Sequence, residues 1–274
     1  MSRAAVVGLG LIGGSIALAG VAKGWDRDAS TRARARERGI DARESLEEAL
    51  AGVSLVFLAV PTREVVAMLP SVAALAERGA VLTDAASRKR PVLDAAQGLP
   101  AGTRFVGGHP LAGSERKGID AASSALFRGR PWVLVPSDLV DADAVGRVSA
   151  AVLSFGARPM EMRADRHDEL MTRITSLPLV VAAALARAAG ASDSDDLARL
   201  AGPGLLDTTR LAGSPAELTE ELTLGDPHAL ADAIERVQGD LLRISRSLRE
   251  LDHEAVRAFF AEARTARGRL GSGL

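Results

Sequence analysis

The stretch Ala4-Ala5-Val6-Val7-Gly8-Leu9-Gly10-Leu11-Ile12-Gly13-Gly14-Ser15 decides the fold. A short apolar run ends in glycine, and a helical pattern begins at Leu11, so strand, tight turn and helix follow without a linker. In that setting Gly8, Gly10 and Gly13 form a dinucleotide fingerprint. The glycines allow the turn and the close approach of a pyrophosphate, while the amides of Leu11 and Ile12 lie at the positive end of the helix dipole. Ser15 extends the motif as a candidate hydroxyl donor. A glycine turn without a ligand is the alternative at this point. The first helix is short, Leu11 to about Ala19, because a second strand pattern starts at Val21.

Asp26 ends that second strand, 18 residues beyond Gly8, close to the ~20 expected of an acid that bonds the adenosine ribose. A carboxylate there repels a 2'-phosphate, so NAD is expected over NADP; Arg27 beside it is suited to stacking on adenine or meeting a phosphate. Further strands are expected at Leu55–Val60, Ala80–Thr83, Arg104–Val106, Trp132–Val135 and Arg158–Met162, alternating with helices, which is the pattern of a parallel α/β sheet. Val60 and Pro61 then fall at the sheet edge where ligands bind. From Ala164 onward only helical patterns remain. The expectation is a Rossmann-type parallel sheet domain over residues 1–163, followed by an all-helical dimerisation and substrate-binding domain over 164–274.

Within the helical part, Leu177–Ala189 is almost wholly apolar and belongs inside that domain or between two copies of it; a homodimer is the economical explanation. Thirty-four basic residues nearly balance 35 acidic ones, which gives no general attraction to nucleic acid or anionic lipid. The alternating Arg32, Arg34, Arg36 and Arg38 scatter around a helix axis and read as a solvated face, with a 2'-phosphate contact as the minor alternative. No uninterrupted apolar run approaches the ~18 residues that cross a bilayer, and the chain opens on a strand instead of a leader, so the cytoplasm is the expected location. The chain has no Cys and no Tyr, which removes disulfides, thiolate zinc sites, thiol nucleophiles and a Tyr-Lys proton relay. No metal site is expected. Protons must be moved by His, Ser, Lys or carboxylates.

The glycine-rich block Gly107-Gly108-His109-Pro110-Leu111-Ala112-Gly113-Ser114-Glu115 sits where a strand ends. Together with Gly8–Ser15, Asp84-Ala85-Ala86-Ser87 and Leu126-Phe127-Arg128-Gly129-Arg130-Pro131-Trp132, in that order, it resembles the prephenate and arogenate dehydrogenase family. The resemblance implies oxidative decarboxylation of a cyclohexadiene acid with a nicotinamide cofactor. It makes His109 the base that takes the ring-hydroxyl proton and Ser87 the serine that bonds the same hydroxyl near the nicotinamide. Ser114 and Glu115 fall on the substrate side, and Arg210, in Asp207-Thr208-Thr209-Arg210-Leu211-Ala212, matches an arginine that clamps a substrate carboxylate. His167-Asp168 matches a His-Asp pair at the start of the long helix. Read without the resemblance, Ser87 is a helix N-cap, Arg210 a surface arginine, and His167 and Asp168 caps of their helix.

The second half departs from the family pattern. Thr175-Ser176-Leu177-Pro178-Leu179 stands where Ser-His-Leu-Pro-His is common, Leu206 where a basic residue is usual, and Leu218 where a tryptophan is frequent. The nicotinamide half of the pocket is complete and the helical half has lost polar groups, which leaves prephenate, arogenate or another carboxylated cyclic alcohol as substrate. A nucleotide-binding protein without turnover is the competing class.

Overall fold

The computed structural model describes residues 3–21, 23–113, 116–137, 140–190 and 195–271. The chain begins β1 (Ala4–Val7), α1 (Leu11–Leu18), β2 (Lys23–Trp25), α2 (Ala29–Glu37), α3 (Leu46–Leu50), β3 (Leu55–Leu58), α4 (Thr62–Leu75), β4 (Val81–Asp84), α5 (Arg90–Gln97), β5 (Arg104–Pro110), β6 (Pro131–Pro136), α6 (Ala142–Ser154), β7 (Arg158–Glu161). It continues as α7 (Ala164–Met171), a π-turn (Thr172–Ser176), α8 (Leu177–Ala189), α9 (Asp195–Leu200), α10 (Pro203–Thr209), α11 (Ala216–Leu224), α12 (Pro227–Arg249) and α13 (His253–Gly271).

The seven strands form one sheet in the order β2-β1-β3-β4-β5-β6-β7. The first five are parallel, as their crossover helices require, whereas β6 runs antiparallel to β5 and β7 pairs parallel to β6. The parallel sheet expected from sequence is present in β1 to β5, and β6 with β7 reverses at one edge. Between β5 and β6 the described chain holds one 3-10 turn, Ile119–Ala121, and a parallel return needs a crossover of about a dozen residues, usually a helix.

Successive residues of β1 feed opposite faces. Ala4 and Val6 join a core with Ile16 of α1, Val148 and Val152 of α6, and the ring cluster Phe57, Phe127, Trp132 and Phe155. Ala5 and Val7 join a second core with Leu50, Val65 and Leu69 of α4, and Val92 of α5. A sheet buried on both faces explains why its strands read as continuous apolar runs instead of alternating ones.

By compactness the chain divides into residues 1–171 with 216–225, and residues 172–215 with 226–274. Thus α7 and α11 group with the sheet by compactness. In the second unit α8 packs against α10, α12 and the 3-10 turn Arg210–Gly213. Its buried residues are Leu179 and Ala182, while Val181 and Leu185 remain exposed, so one chain covers little of this apolar helix.

Within the 26-residue helical run Ala164–Ala189, an 18-residue window with mean hydropathy 1.4 is long and apolar enough to cross a membrane by length and composition. The sequence expectation missed it by seeking an uninterrupted apolar run, and this one contains Arg173 and Arg187. Core and interface helices share that composition.

Candidate active site

At the β1–α1 turn Gly8 has φ +91°, and a Cβ there would lie 2.6 Å from the Ala59 carbonyl oxygen. A Cβ on Gly13 would collide with the Gly8 carbonyl. At Gly10, by contrast, nothing lies within 4 Å of the Cβ position. Helical bonding starts with Gly14 N–H donating to Gly10 O at 2.8 Å, which leaves the amides of Leu11, Ile12 and Gly13 outside the ladder. The first turn carries no acidic residue. Free amides, a bare approach over Gly10 and a helix N-terminus are the features a pyrophosphate requires, so these residues fit a dinucleotide.

Asp26 closes the turn from β2. Its Oδ2 accepts from Leu9 N–H at 2.8 Å and its Oδ1 from Asp28 N–H at 2.9 Å; each oxygen keeps a lone pair for a ribose hydroxyl. Arg27 is mostly exposed and pairs with Glu64 at 3.1 Å. The other arginines of the basic stretch are engaged elsewhere: Arg32 and Arg36 with Glu44, Arg34 with Asp120, and Arg38 with the carbonyls of Ile119 and Ala122. Ser15 is fully buried, donates to Leu11 O at 2.7 Å and accepts from Ser123 N–H at 2.9 Å. Its hydroxyl therefore joins α1 to the segment before β6, which corrects the expectation of a donor to the cofactor.

The second half of the site gathers where β4 and β5 end. Strand β5 runs on to Pro110, so His109 stands on a strand opposite Val133 instead of in a loop. Its Nδ1 lies 2.9 Å from His167 Nε2, and His167 Nδ1 lies 2.7 Å from Asp168 Oδ1. Asp168 also accepts the amides of Lys89 and Arg90, at 2.9 and 3.0 Å. It thereby caps α5, a task Ser87 does not perform, and His167 and Asp168 are paired inside the site instead of capping their own helix. Burial alone would raise the Asp168 pKa, but the His167 hydrogen bond and the two amides outweigh it and hold the group below the ordinary carboxylate value.

These contacts fix the tautomers. A carboxylate accepts only, so His167 Nδ1–H donates to Asp168, His167 Nε2 accepts, and His109 Nδ1–H donates to it. His109 Nε2 is left as a lone pair without a partner among the described residues. Burial first, then the neighbouring His167 and Lys89, push the His109 pKa well below the ordinary 6.5. The imidazole is neutral at pH 7, as a base must be before it acts.

Beneath it lies a buried ion pair that sequence reasoning missed. Lys89 Nζ pairs with Asp84 and donates to Gly108 O at 2.6 Å, while Asp84 accepts the amides of Gly108 at 3.0 Å and Ala86 at 2.9 Å. Burial lowers the Lys89 pKa, with Asp84 opposing. The pair ties the ends of β4 and β5 together one residue before His109. The second omission is Glu221 of α11. Its Oε1 accepts from Ser87 Oγ at 2.8 Å, Thr62 Oγ1 at 2.5 Å and Thr62 N–H at 3.3 Å. Ser87 and Glu221 are 134 residues apart, a separation that no local pattern bridges.

Gly10, Leu11, Val60, Pro61, Ser87, His109 and Glu221 line one cavity of about 290 Å³, which Leu218 also borders. The structure thus brings the glycine turn, the serine and the histidine together. Arg210 opens the 3-10 turn of the second unit with its side chain exposed. Ser114 and Glu115 lie outside the described residues.

Two family models match in succession: the prephenate dehydrogenase nucleotide-binding domain over residues 18–161, and the prephenate dehydrogenase dimerization domain over residues 163–262. The first begins beyond Gly13, so the glycine turn stands on its own geometry. Prephenate dehydrogenase of Bacillus subtilis (strain 168) is 30% identical over 276 residues, spanning 96% of this chain and 74% of the relative. The crystal structure of Synechocystis arogenate dehydrogenase superposes with a TM-score of 0.83 at 28% identity, covering 98% of this chain and 99% of that one. Aquifex aeolicus prephenate dehydrogenase, solved with hydroxyphenyl propionate and NAD+, shares the fold with a TM-score of 0.87 at 24% identity, over 98% of each chain. Matched by both domains in order, and by a relative of 30% identity along nearly its whole length, this chain belongs to the prephenate dehydrogenase family of oxidoreductases.

Proposed function

We propose that the protein catalyses the NAD-dependent oxidative decarboxylation of prephenate to 4-hydroxyphenylpyruvate, in tyrosine biosynthesis. The observation that carries this reading is the open Nε2 of a neutral His109 in the cavity that also holds the dinucleotide turn. NAD, when bound, supplies the hydride acceptor. His109 Nε2 takes the proton of the ring hydroxyl as its carbon is oxidised, and the ring carboxylate then leaves as carbon dioxide. The charge that develops on His109 is shared through His167 with Asp168, whose anion is held by the amides that begin α5. Ser87 fixes the position of the reacting oxygen. Gly8, Gly10, Leu11, Ile12 and Gly13 hold the pyrophosphate, and Asp26 the adenosine ribose, which favours NAD over NADP because a 2'-phosphate would meet a carboxylate.

Arg210 is the proposed clamp for a substrate carboxylate, and Ser114 and Glu115 are further proposed substrate contacts. Two copies pair through the helical domain, and the enzyme works in the cytoplasm. The similarity to the Synechocystis enzyme makes arogenate the second substrate to examine. The test is oxidation of prephenate and of arogenate by the purified protein with NAD and with NADP, followed by the absorbance of reduced cofactor. Turnover of prephenate with NAD is expected; cofactor binding without turnover of either acid would overturn the reading.

A further inference from the structure

Among the described residues, three side chains give the cofactor cavity its polarity: Ser87, His109 and Glu221. The amides of Leu11 and Ile12, outside the ladder of α1, face the same space and are matched by a pyrophosphate. In the reaction proposed above, Ser87 and His109 are matched by the ring hydroxyl of the substrate. Glu221 has no counterpart in that scheme.

Its carboxylate is fixed on one side and open on the other. Oε1 takes all three bonds, from Thr62 N–H, Thr62 Oγ1 and Ser87 Oγ, whereas Oε2 makes no hydrogen bond among the described residues. The helix that carries it is held at other points too. Lys117 pairs with Glu217 at 3.1 Å, Arg88 donates to Leu222 O at 3.4 Å, and Gly225 packs so closely on Arg88 that a Cβ would lie 2.6 Å from its Nε. Thus α11 stays with the sheet although the chain on either side of it, 172–215 and 226–274, forms the other unit.

A carboxylate accepts and cannot donate, so the group that completes Oε2 must bring a hydrogen. Within the nicotinamide half of NAD, such hydrogens sit on the carboxamide and on the ribose. Position decides between them. The ring atom that receives the hydride, C4, must lie beside the carbon whose hydroxyl meets Ser87 and His109. The carboxamide is on C3, next to C4, while the ribose is on N1, across the ring, and Glu221 is bonded to Ser87 itself. Resting on that reaction, we infer that Glu221 holds the carboxamide of bound nicotinamide, accepting one of its N–H hydrogens on Oε2. Glu221 is thereby a further cofactor-binding residue, and it makes the protein distinguish nicotinamide from a ring whose substituent carries no N–H.

Calorimetry with 3-acetylpyridine adenine dinucleotide tests this without turnover. The analogue replaces the amide NH2 by a methyl group and keeps the carbonyl, the pyridinium charge, both riboses and the pyrophosphate, so its affinity relative to NAD+ isolates the amide hydrogens. Wild type should bind NAD+ about tenfold or more tighter than the analogue, the scale of a hydrogen bond to a charged group. In Glu221→Ala the ratio should fall to within about twofold of one, through weaker NAD+ binding. In Glu221→Gln it should fall likewise, because a glutamine that keeps its oxygen toward Thr62 and Ser87 offers an N–H to the carbonyl that both dinucleotides carry. The wild-type comparison needs no variant, so it stands even if Glu221→Ala loosens α11. Equal wild-type affinities would overturn the inference, as would a preference for NAD+ that survives in both variants. Equal weakening of both dinucleotides in Glu221→Ala, with the wild-type ratio kept, would overturn it too and assign the carboxylate to the ribose. Each of these leaves the reaction assignment standing, since prephenate turnover decides that separately; a wild-type protein that takes up no NAD+ would overturn both.

Discussion

In the proposed reaction the imidazole of His109 carries the chemistry, and its surroundings set when it can act. Burial and neighbouring positive charge hold its pKa well below 6.5, so lowering the pH protonates it later than an ordinary histidine. The acid limb of kcat/KM for prephenate should therefore have its midpoint clearly below pH 6.5, with the rate on its plateau at pH 7; a midpoint at or above 6.5 would show that the group titrates as if solvated. The Lys89–Asp84 pair beneath it is fully buried, and breaking one side leaves an uncompensated charge. Lys89→Ala should lower unfolding stability by about 3–5 kcal/mol in urea titration, and the double change Lys89→Met with Asp84→Leu should recover much of that loss. Equal losses from the single and the double variant would mean that the hydrogen bonds of Asp84 to Gly108 and Ala86 matter more than the ion pair.

At the scale of the element, α1 depends on a backbone that tolerates no side chain at Gly13. Gly13→Ala places a methyl against the Gly8 carbonyl, which is main chain and cannot swing aside. We expect NAD+ affinity to fall at least about tenfold by calorimetry, because the turn must open and displace the amides of Leu11 and Ile12; unchanged affinity would place the pyrophosphate elsewhere. This element was legible in the sequence, since strand, glycine turn and helix are local patterns with periods of two and 3.6 residues. The reversed edge, β6 and β7, was not, because direction depends on what connects two strands and an apolar run looks the same either way. The position of His109 on the end of β5 was hidden by its glycine neighbours. Ser15 was misread for a related reason: its place in the motif is visible, but not that Ser123, 108 residues away, would claim its hydroxyl. Glu221 gave no signal, because a carboxylate in an amphipathic helix reads as solvated until the fold brings it to Ser87.

At the scale of the whole chain, the helical unit leaves large apolar side chains uncovered, among them Leu241 and Leu242 of α12, each 61% exposed. Exposed large apolar side chains in such number suit an interaction face, and this region matches a dimerization domain. Light scattering should give twice the mass of one chain, and Leu241→Asp with Leu242→Asp should shift the protein toward the monomer; a wild-type monomer at micromolar concentration would contradict the pairing. The central claim is that one neutral imidazole beside the dinucleotide turn performs the oxidation. Its most direct test is turnover of prephenate by His109→Asn, measured beside NAD+ affinity. The account predicts a fall in kcat of about a hundredfold or more with NAD+ affinity within about twofold of wild type, and a variant that keeps wild-type kcat would contradict it.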